Sequence, residues 1–335
     1  MIKNNNIFLL LILTILSILS KINCELQLPY FYSFKSTGVF ETVNIETNQV
    51  VLNKKFSLDF QINLIYGETI SSETNQPIFK LFVQDPSGRI FYTIQYDSGL
   101  NQFNNKSAEL KLSDKASFEY DPTSFNYIQG SELFILTVHM DGTPQSVLSF
   151  IEWDFTNSKI NYYQNTEKVL YKTLPVTTIN PLTKEVFTYF TGQQNVPYIQ
   201  VNENNTLSGN DIKVYKFLSN STILTNIDNI FVNLEGDLIG VGYQQEGEGL
   251  FVCLFNLDSL ECTSVYNTQV ISFDNNFSVY YISPDSSYLI ILIGDGFNCD
   301  TIEFNYLNLL TFKVDYSFKT NNFYKPPQNY PSIYF

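Results

Sequence analysis

The stretch FSVYYISPDSSYLIILIGDGFNCDTIEFNYLNLLTFKVDY, residues 277–316, contains one complete copy of the pattern that decides the fold. It holds four strand-like runs separated by turn-forming residues: Phe277 to Ile282, Leu289 to Ile293, Thr301 to Tyr306 and Leu310 to Tyr316. The second run is apolar at every position, which is typical of a strand covered on both faces. The stretch therefore predicts a four-stranded sheet that is buried between two neighbours.

The same pattern recurs about every fifty residues. Comparable runs that follow a turn cluster begin near six positions: Leu28, Ile78, Glu132, Glu185, Asp237 and Tyr288. The middle strands Ile78 to Val83 and Leu133 to Val138 are also apolar on both faces. Four short strands in each repeat of this length are typical of β-propeller blades. The sequence predicts an all-β fold, a six-bladed β-propeller, with a seven-bladed propeller or a large β-sandwich as the alternatives.

The first repeat has only three predicted strands, Leu28 to Phe34, Val39 to Glu46 and Gln49 to Lys54. A sheet that lacks a strand leaves an exposed edge, which propellers avoid by joining their two chain ends. We therefore expect the C-terminal segment from Asn329 to Phe335 to supply the missing strand.

One turn supports the propeller prediction through a family resemblance. Residues Ile282-Ser283-Pro284-Asp285-Ser286-Ser287-Tyr288-Leu289 resemble the Ser-Pro-Asp-Gly turn of the PD40 and YVTN-type propeller repeats, with Ser286 where glycine is usual. The turns at 179–182 and 234–237 keep fragments of it. The resemblance implies the fold and no particular function, because propellers carry many unrelated activities.

The N-terminus has the pattern of a secretory signal peptide. Lys3 precedes a run from Ile7 to Leu19 that is apolar except for two hydroxyl residues, and Ser20 and Cys24 offer cleavage points. The run is short for a membrane span, although an uncleaved anchor is the alternative. We expect a signal peptide at 1–24, a propeller domain at 25–335 and no membrane span after cleavage. The expected location is extracellular, or else the lumen of the endolysosomal system.

Four glycosylation sequons accord with that route: Asn105, Asn204, Asn220 and Asn276. The cysteines also suit an oxidising compartment. A tight turn at Leu257-Asp258 would place Cys253 and Cys262 directly opposite on a hairpin, where a disulfide is possible. Cys24 could pair with Cys299 if cleavage precedes Cys24; otherwise Cys299 is a lone thiol.

Charge and composition exclude several functions. The chain has 19 basic and 33 acidic side chains, a formal net charge of −14, and Arg89 as its one arginine. Nucleic acid is therefore a poor partner, since a phosphate backbone demands clustered basic residues. His139 is the sole histidine, so a Ser-His or Cys-His catalytic pair and a histidine-rich zinc site lack support.

Carboxylates recur near the turns between third and fourth strands: Glu46, Asp97, Asp154, Glu203 and Asp258. They could gather on one rim and hold calcium, or they could cap hairpin turns, as Asp and Asn commonly do. The same two interpretations apply to the segment from Asp295 to Asp300.

The sequence predicts no catalytic or cofactor-binding residue, and calcium is the one cofactor considered. The expected function is a secreted, glycosylated, non-enzymatic binding module for a protein or a carbohydrate. It would use loops at one face, Thr191 to Val196, Gln244 to Gly249 and Gly294 to Cys299. The alternative is a calcium-dependent propeller enzyme of the lactonase or sugar-oxidising kind.

Overall fold

The computed structural model describes residues 30–35, 38–44, 47, 49–107, 109–111, 118–128, 133–140, 149–154, 159–164, 175–180, 182–192, 196–202, 212–217, 226–243, 249–268, 278–283, 287–295, 301–321 and 332–334. The predicted signal peptide at 1–24 and its boundary lie outside these residues and stay predictions. No helix within the described part of the chain is long and apolar enough to cross a membrane.

The described residues form antiparallel sheets, of which five are four-stranded and are called blades I to V here. Blade I consists of β25 (Ser332–Tyr334), β1 (Tyr30–Lys35), β2 (Val39–Asn44) and β3 (Gln49–Lys55). Blade II consists of β9 (Phe118–Ile128), β10 (Leu133–Met140), β11 (Ser149–Asp154) and β12 (Lys159–Gln164). Blade III consists of β13 (Val176–Ile179), β14 (Val186–Thr191), β15 (Pro197–Asn202) and β16 (Ile212–Lys216). Blade IV consists of β17 (Ile227–Val232), β18 (Leu238–Tyr243), β19 (Leu250–Asn256) and β20 (Glu261–Asn267). Blade V consists of β21 (Ser278–Ile282), β22 (Tyr288–Asp295), β23 (Thr301–Asn308) and β24 (Val314–Asn321).

A further sheet, called the wide sheet here, has five strands and lies between blades I and II. It consists of β4 (Gln61–Ile70), β5 (Pro77–Gln84), β6 (Ile90–Asp97), β7 (Gln102–Asn104) and β8 (Leu110–Lys111). Both β7 and β8 pair with β6, one at each end of it. Between them the chain turns at Asn105, which has a φ of 53°.

The prediction of six four-stranded blades is therefore wrong: the described residues show five such blades. The wide sheet departs from the repeat because two short strands, β7 and β8, pair with opposite ends of β6 where the blades have a single fourth strand. The alternatives are wrong as well, since the sheets follow one another around a ring and do not stack as two layers. The propeller class itself is confirmed.

Apolar clusters join the sheets around the ring. One cluster joins blade I to the wide sheet, and others join blade III to IV, blade IV to V, and blade V back to blade I through Val43. The innermost strands β4, β9 and β13 contact one another in turn. Burial on both faces, predicted from the apolar middle strands, is seen in β14, where all six residues are buried. The outermost strand β3 is mostly exposed.

The two ends of the chain meet in blade I, as predicted. β25 pairs antiparallel with β1, with Tyr334 opposite Tyr32 and Ser332 opposite Phe34. It thereby fills the innermost position of the three-stranded first repeat, and it contacts β4 of the wide sheet. Closure satisfies the backbone groups that an unpaired β1 would expose.

Candidate functional site

The candidate site is built from turns at one edge of the ring. Because neighbouring strands are antiparallel, the turns that join first to second and third to fourth strands of a sheet all lie at the same edge, called the lower edge here. Turns at this edge in the described residues span 71–76, 98–101, 182–185, 233–237, 257–260 and 309–313.

Each lower-edge turn is capped by the side chain of the residue at its start. The caps accept hydrogen bonds from backbone N–H groups within the turn, as in Asn180 from Leu182 at 2.9 Å and Asn308 from Leu310 at 2.9 Å. The other caps are Ser71, Asp97, Asn233, Asn256 and Ser283. Most of these turns also contain a residue with positive φ: Asn75, Asn101, Lys184, Gly236, Leu260 and Phe312. Such side-chain caps fix the turn backbone in one conformation.

Three capped turns on blades III, IV and V each carry an exposed leucine. Leu182 is 64% exposed, Leu234 is 48% exposed and Leu310 is 41% exposed. The caps Asn180 and Asn308 engage the backbone N–H groups of Leu182 and Leu310, so these residues are held within the turns. The leucine side chains are therefore exposed on turns whose backbone conformation is fixed.

The three turns touch one another. A Cβ placed on Gly236 would lie 3.9 Å from Leu182 Cδ1, so the turns of blades III and IV are in contact. Asn233 Nδ2 donates a hydrogen bond of 3.0 Å to the carbonyl oxygen of Leu309, which joins the turns of blades IV and V. We call the continuous surface that carries Leu182, Leu234 and Leu310 the leucine face.

The wide sheet adds two exposed apolar side chains at the same edge, Ile70 at 53% and Leu100 at 44% exposure. Their turns are also in contact, because a Cβ on Gly99 would meet the side chain of Thr74. The lower edge therefore carries exposed apolar side chains on the wide sheet as well as on blades III, IV and V.

Each turn of the leucine face also holds a carboxylate in place. Glu185 accepts a hydrogen bond of 2.7 Å from Thr183 Oγ1, and Asp237 accepts one of 3.0 Å from Asn233 Nδ2. Asp315 accepts a hydrogen bond of 2.7 Å from Asn308 Nδ2. A leucine and an oriented carboxylate therefore occur together in three successive blades.

Two of the carboxylates predicted for a calcium rim, Asp97 and Asp258, are described at turns of the lower edge. Asp97 is buried and caps its turn through Leu100 N–H, while Asp258 lies in an exposed turn capped by Asn256. Asp154 ends β11, and the remaining two, Glu46 and Glu203, lie outside the described residues. No group of three or more His, Cys, Asp or Glu side chains that could hold a metal occurs in the part of the chain described.

The other predicted binding elements are mostly beyond what the structure describes. His139 lies in β10 opposite Glu119. The three predicted loops have central residues, 193–195, 244–248 and 296–300, outside the described ranges. Sequence reasoning thus pointed to the opposite edge of the ring and missed the leucine face. The available signal was a leucine placed one or two residues after a capping asparagine.

The disulfide between Cys253 and Cys262 is confirmed, with a Cα–Cα distance of 5.8 Å. Its predicted geometry is wrong, since Cys253 lies opposite Ser264 and Cys262 lies opposite Phe255. The turn is four residues long rather than a two-residue turn, and Leu260 takes a φ of 56°. The bridge therefore runs diagonally between β19 and β20. Cys24 and Cys299 lie outside the described residues.

Among the four sequons, only Asn105 is described. It is exposed at the break in the outermost strand of the wide sheet, and its Nδ2 donates a hydrogen bond of 2.7 Å to Gln95 Oε1. Asn204, Asn220 and Asn276 lie outside the described residues. Glycosylation of all four stays a prediction.

One buried carboxyl group lies at the contact between the wide sheet and blade I. Glu68 is opposite Phe79, whose ring is 4.7 Å from that of Tyr32. Burial raises the pKa of Glu68, and its Oε2 has no hydrogen-bond partner among the described residues. Burial, with a smaller contribution from the Glu68 charge, raises the pKa of Tyr32 to about 12.

Replacing Glu68 with Gln should raise stability at neutral pH. The pKa of Glu68 is higher in the folded protein than its ordinary value of 4.5. Its contribution to the free energy of unfolding is therefore largest below pH 4.5 and is lost as the pH rises through the pKa of the folded state. Glu68→Gln removes the charge and keeps the size of the side chain, so it should add roughly 1 kcal/mol at pH 7, a modest gain because the side chain is partly exposed. Urea titrations at pH 4 and pH 7 check this, with the exposed Glu73→Gln as control. A variant that loses stability at pH 7 would contradict the assignment.

Comparisons with known proteins found similar solved structures at low sequence identity. No family model and no curated protein sequence matches the chain. A functionally unknown protein from Desulfotomaculum acetoxidans has 11% identity and a TM-score of 0.42, over 88% of this chain and 80% of its own. The Dos1 propeller has 12% identity and a TM-score of 0.44, over 78% and 61%. An oligogalacturonate lyase in complex with manganese has 10% identity and a TM-score of 0.45, over 78% and 73%.

These likenesses are too distant to indicate an activity. No family match supports assignment to the PD40 or YVTN repeats, so that resemblance stays confined to the turn that carries it. The strand topology places the chain in the class of β-propeller proteins.

Proposed function

We propose that this protein is a secreted, glycosylated, non-enzymatic β-propeller that binds another protein through the leucine face. The observation that carries the proposal is the presence of Leu182, Leu234 and Leu310 on three touching, capped turns. Ordered exposed leucines offer contact area at a low cost in conformational entropy, because the turns are already fixed.

The leucine face favours a protein over a carbohydrate as the ligand. Sugars are bound mainly by hydrogen-bonding groups and by aromatic rings on which they stack, whereas leucine supplies neither.

Two observations support the secretory route. The Cys253–Cys262 disulfide suits an oxidising compartment, and the one described sequon, at Asn105, is exposed. Together with the N-terminal pattern of a charged residue and an apolar run, they support a location outside the cell or in the lumen of the endolysosomal system.

Replacing the three leucines together should abolish partner binding while leaving the fold intact. Tagged wild-type protein and the triple variant Leu182→Ser, Leu234→Ser, Leu310→Ser would be expressed, cross-linked in the secreted fraction and purified. We expect one reproducible partner with the wild type and at least about tenfold less of it with the variant, since burying three leucine side chains contributes more than the roughly 1.4 kcal/mol that a factor of ten requires.

The matched control removes exposed apolar side chains elsewhere. Val50 and Val51 are 48% and 61% exposed on β3, so Val50→Ser, Val51→Ser should retain the partner. Thermal unfolding establishes that both variants are folded. Equal recovery of the partner by the wild type and the leucine variant would overturn the proposed function.

A further inference from the structure

The side chains of the leucine face limit the kinds of partner that can bind there. Each of its three turns carries one leucine and holds one carboxylate: Glu185, Asp237 and Asp315 each accept a hydrogen bond from a side chain of the same turn. A fourth carboxylate, Glu235, is exposed and directly follows Leu234. The basic residues in the same turns are Lys184 and Lys313. Carboxylates therefore outnumber basic groups on this surface.

Fixed carboxylates beside apolar side chains favour a ligand that supplies both aliphatic and positively charged groups. The hydrogen bonds orient the carboxylates before binding, so less entropy is lost when a cation pairs with them. A second copy of this chain is a poor occupant, because each copy has a net charge of −14 and the surface is itself acidic.

We infer that the partner presents a segment that contains both basic and aliphatic side chains, and that this segment docks on the leucine face. The inference rests on the proposed function and specifies its partner. Leucines would pack against the aliphatic groups, while Glu185, Asp237 and Asp315 would pair with the basic groups and set the register.

Three synthetic peptides of equal length test the inference by fluorescence anisotropy with the full chain. They contain alternating Leu and Lys, alternating Leu and Glu, or alternating Ser and Lys. We expect the Leu–Lys peptide to bind, and the other two to bind at least about tenfold more weakly, because each lacks one half of the complementarity. Added salt should weaken binding of the Leu–Lys peptide.

Two sets of variants separate specific docking from general attraction to an acidic protein. Glu185→Gln, Asp237→Asn, Asp315→Asn should reduce affinity for the Leu–Lys peptide about tenfold, which corresponds to three modest ion pairs. Asp59→Asn, Glu109→Gln, Asp228→Asn removes the same charge from exposed positions elsewhere and should leave the affinity unchanged.

The two proposals fail in different ways. If the Leu–Glu peptide binds as tightly as the Leu–Lys peptide, or if both charge variants behave alike, the basic partner is overturned. The proposal that the leucine face binds a protein is then still tested by the cross-linking experiment. If the triple leucine variant keeps both the peptide and the cross-linked partner, the binding face itself is wrong.

Discussion

Phe40→Ala should lower the free energy of unfolding by about 3–5 kcal/mol, the usual cost of removing a buried aromatic ring. The Phe40 side chain is 0% exposed and its ring lies 4.7 Å from Phe34, 5.0 Å from Tyr96 and 5.4 Å from Phe79. The first contact is within blade I, and the other two cross to the wide sheet. The substitution leaves a cavity at the contact where the two chain ends are joined.

Urea titration followed by tryptophan fluorescence or circular dichroism measures this loss. Val50→Ala on the exposed strand β3 is the control and should change stability by less than about 0.5 kcal/mol. A loss below about 1 kcal/mol for Phe40→Ala would mean that the aromatic cluster between blade I and the wide sheet is not close-packed.

Replacing both bridged cysteines, Cys253→Ala and Cys262→Ala, should cost about 2.5 kcal/mol. The bridge closes a short loop with a sequence separation of 9, and the loop-closure model gives that magnitude for the denatured chain. The pair sits between β19 and β20, and Cys253 belongs to the apolar cluster that joins blades III and IV. The measurement is the free energy of unfolding with and without reductant.

The wild type provides the control for this experiment. In reductant its stability should fall towards that of the double variant, whereas the variant should not respond. A double variant as stable as the oxidised wild type would show that the bridge contributes nothing to stability.

The repeat could be predicted from the sequence because it depends on residue patterns that are local in the chain. Strand runs such as Leu289 to Ile293 are apolar at consecutive positions, and turn-forming residues such as Ser283-Pro284-Asp285 mark where strands end. The need for a further strand in the first repeat was predicted because that repeat has three strands where the others have four. β25 supplies this strand. The pairing of Cys253 with Cys262 also followed from a hairpin between two adjacent strands.

The sequence predicted only part of the candidate site. The sequence indicated that Asn and Asp cap turns, and the structure shows such caps at Asp97 and Asn256. It did not indicate that three separate turns, each with an exposed leucine, are in contact with one another. Leu182, Leu234 and Leu310 are about fifty or more residues apart, and their proximity depends on how neighbouring blades pack.

The sequence by itself determined the all-β class, the four-stranded repeat, the closure through the C-terminus and the pairing of the described disulfide. Each of these depends on the periodicity of side chains along the chain or on residues in adjacent strands. Only the tertiary structure decided the count of five regular blades, the strand break at Asn105 and the leucine face. These depend on how β7 and β8 pair with β6 and on contacts between neighbouring sheets, and the spacing of apolar residues along the chain encodes neither.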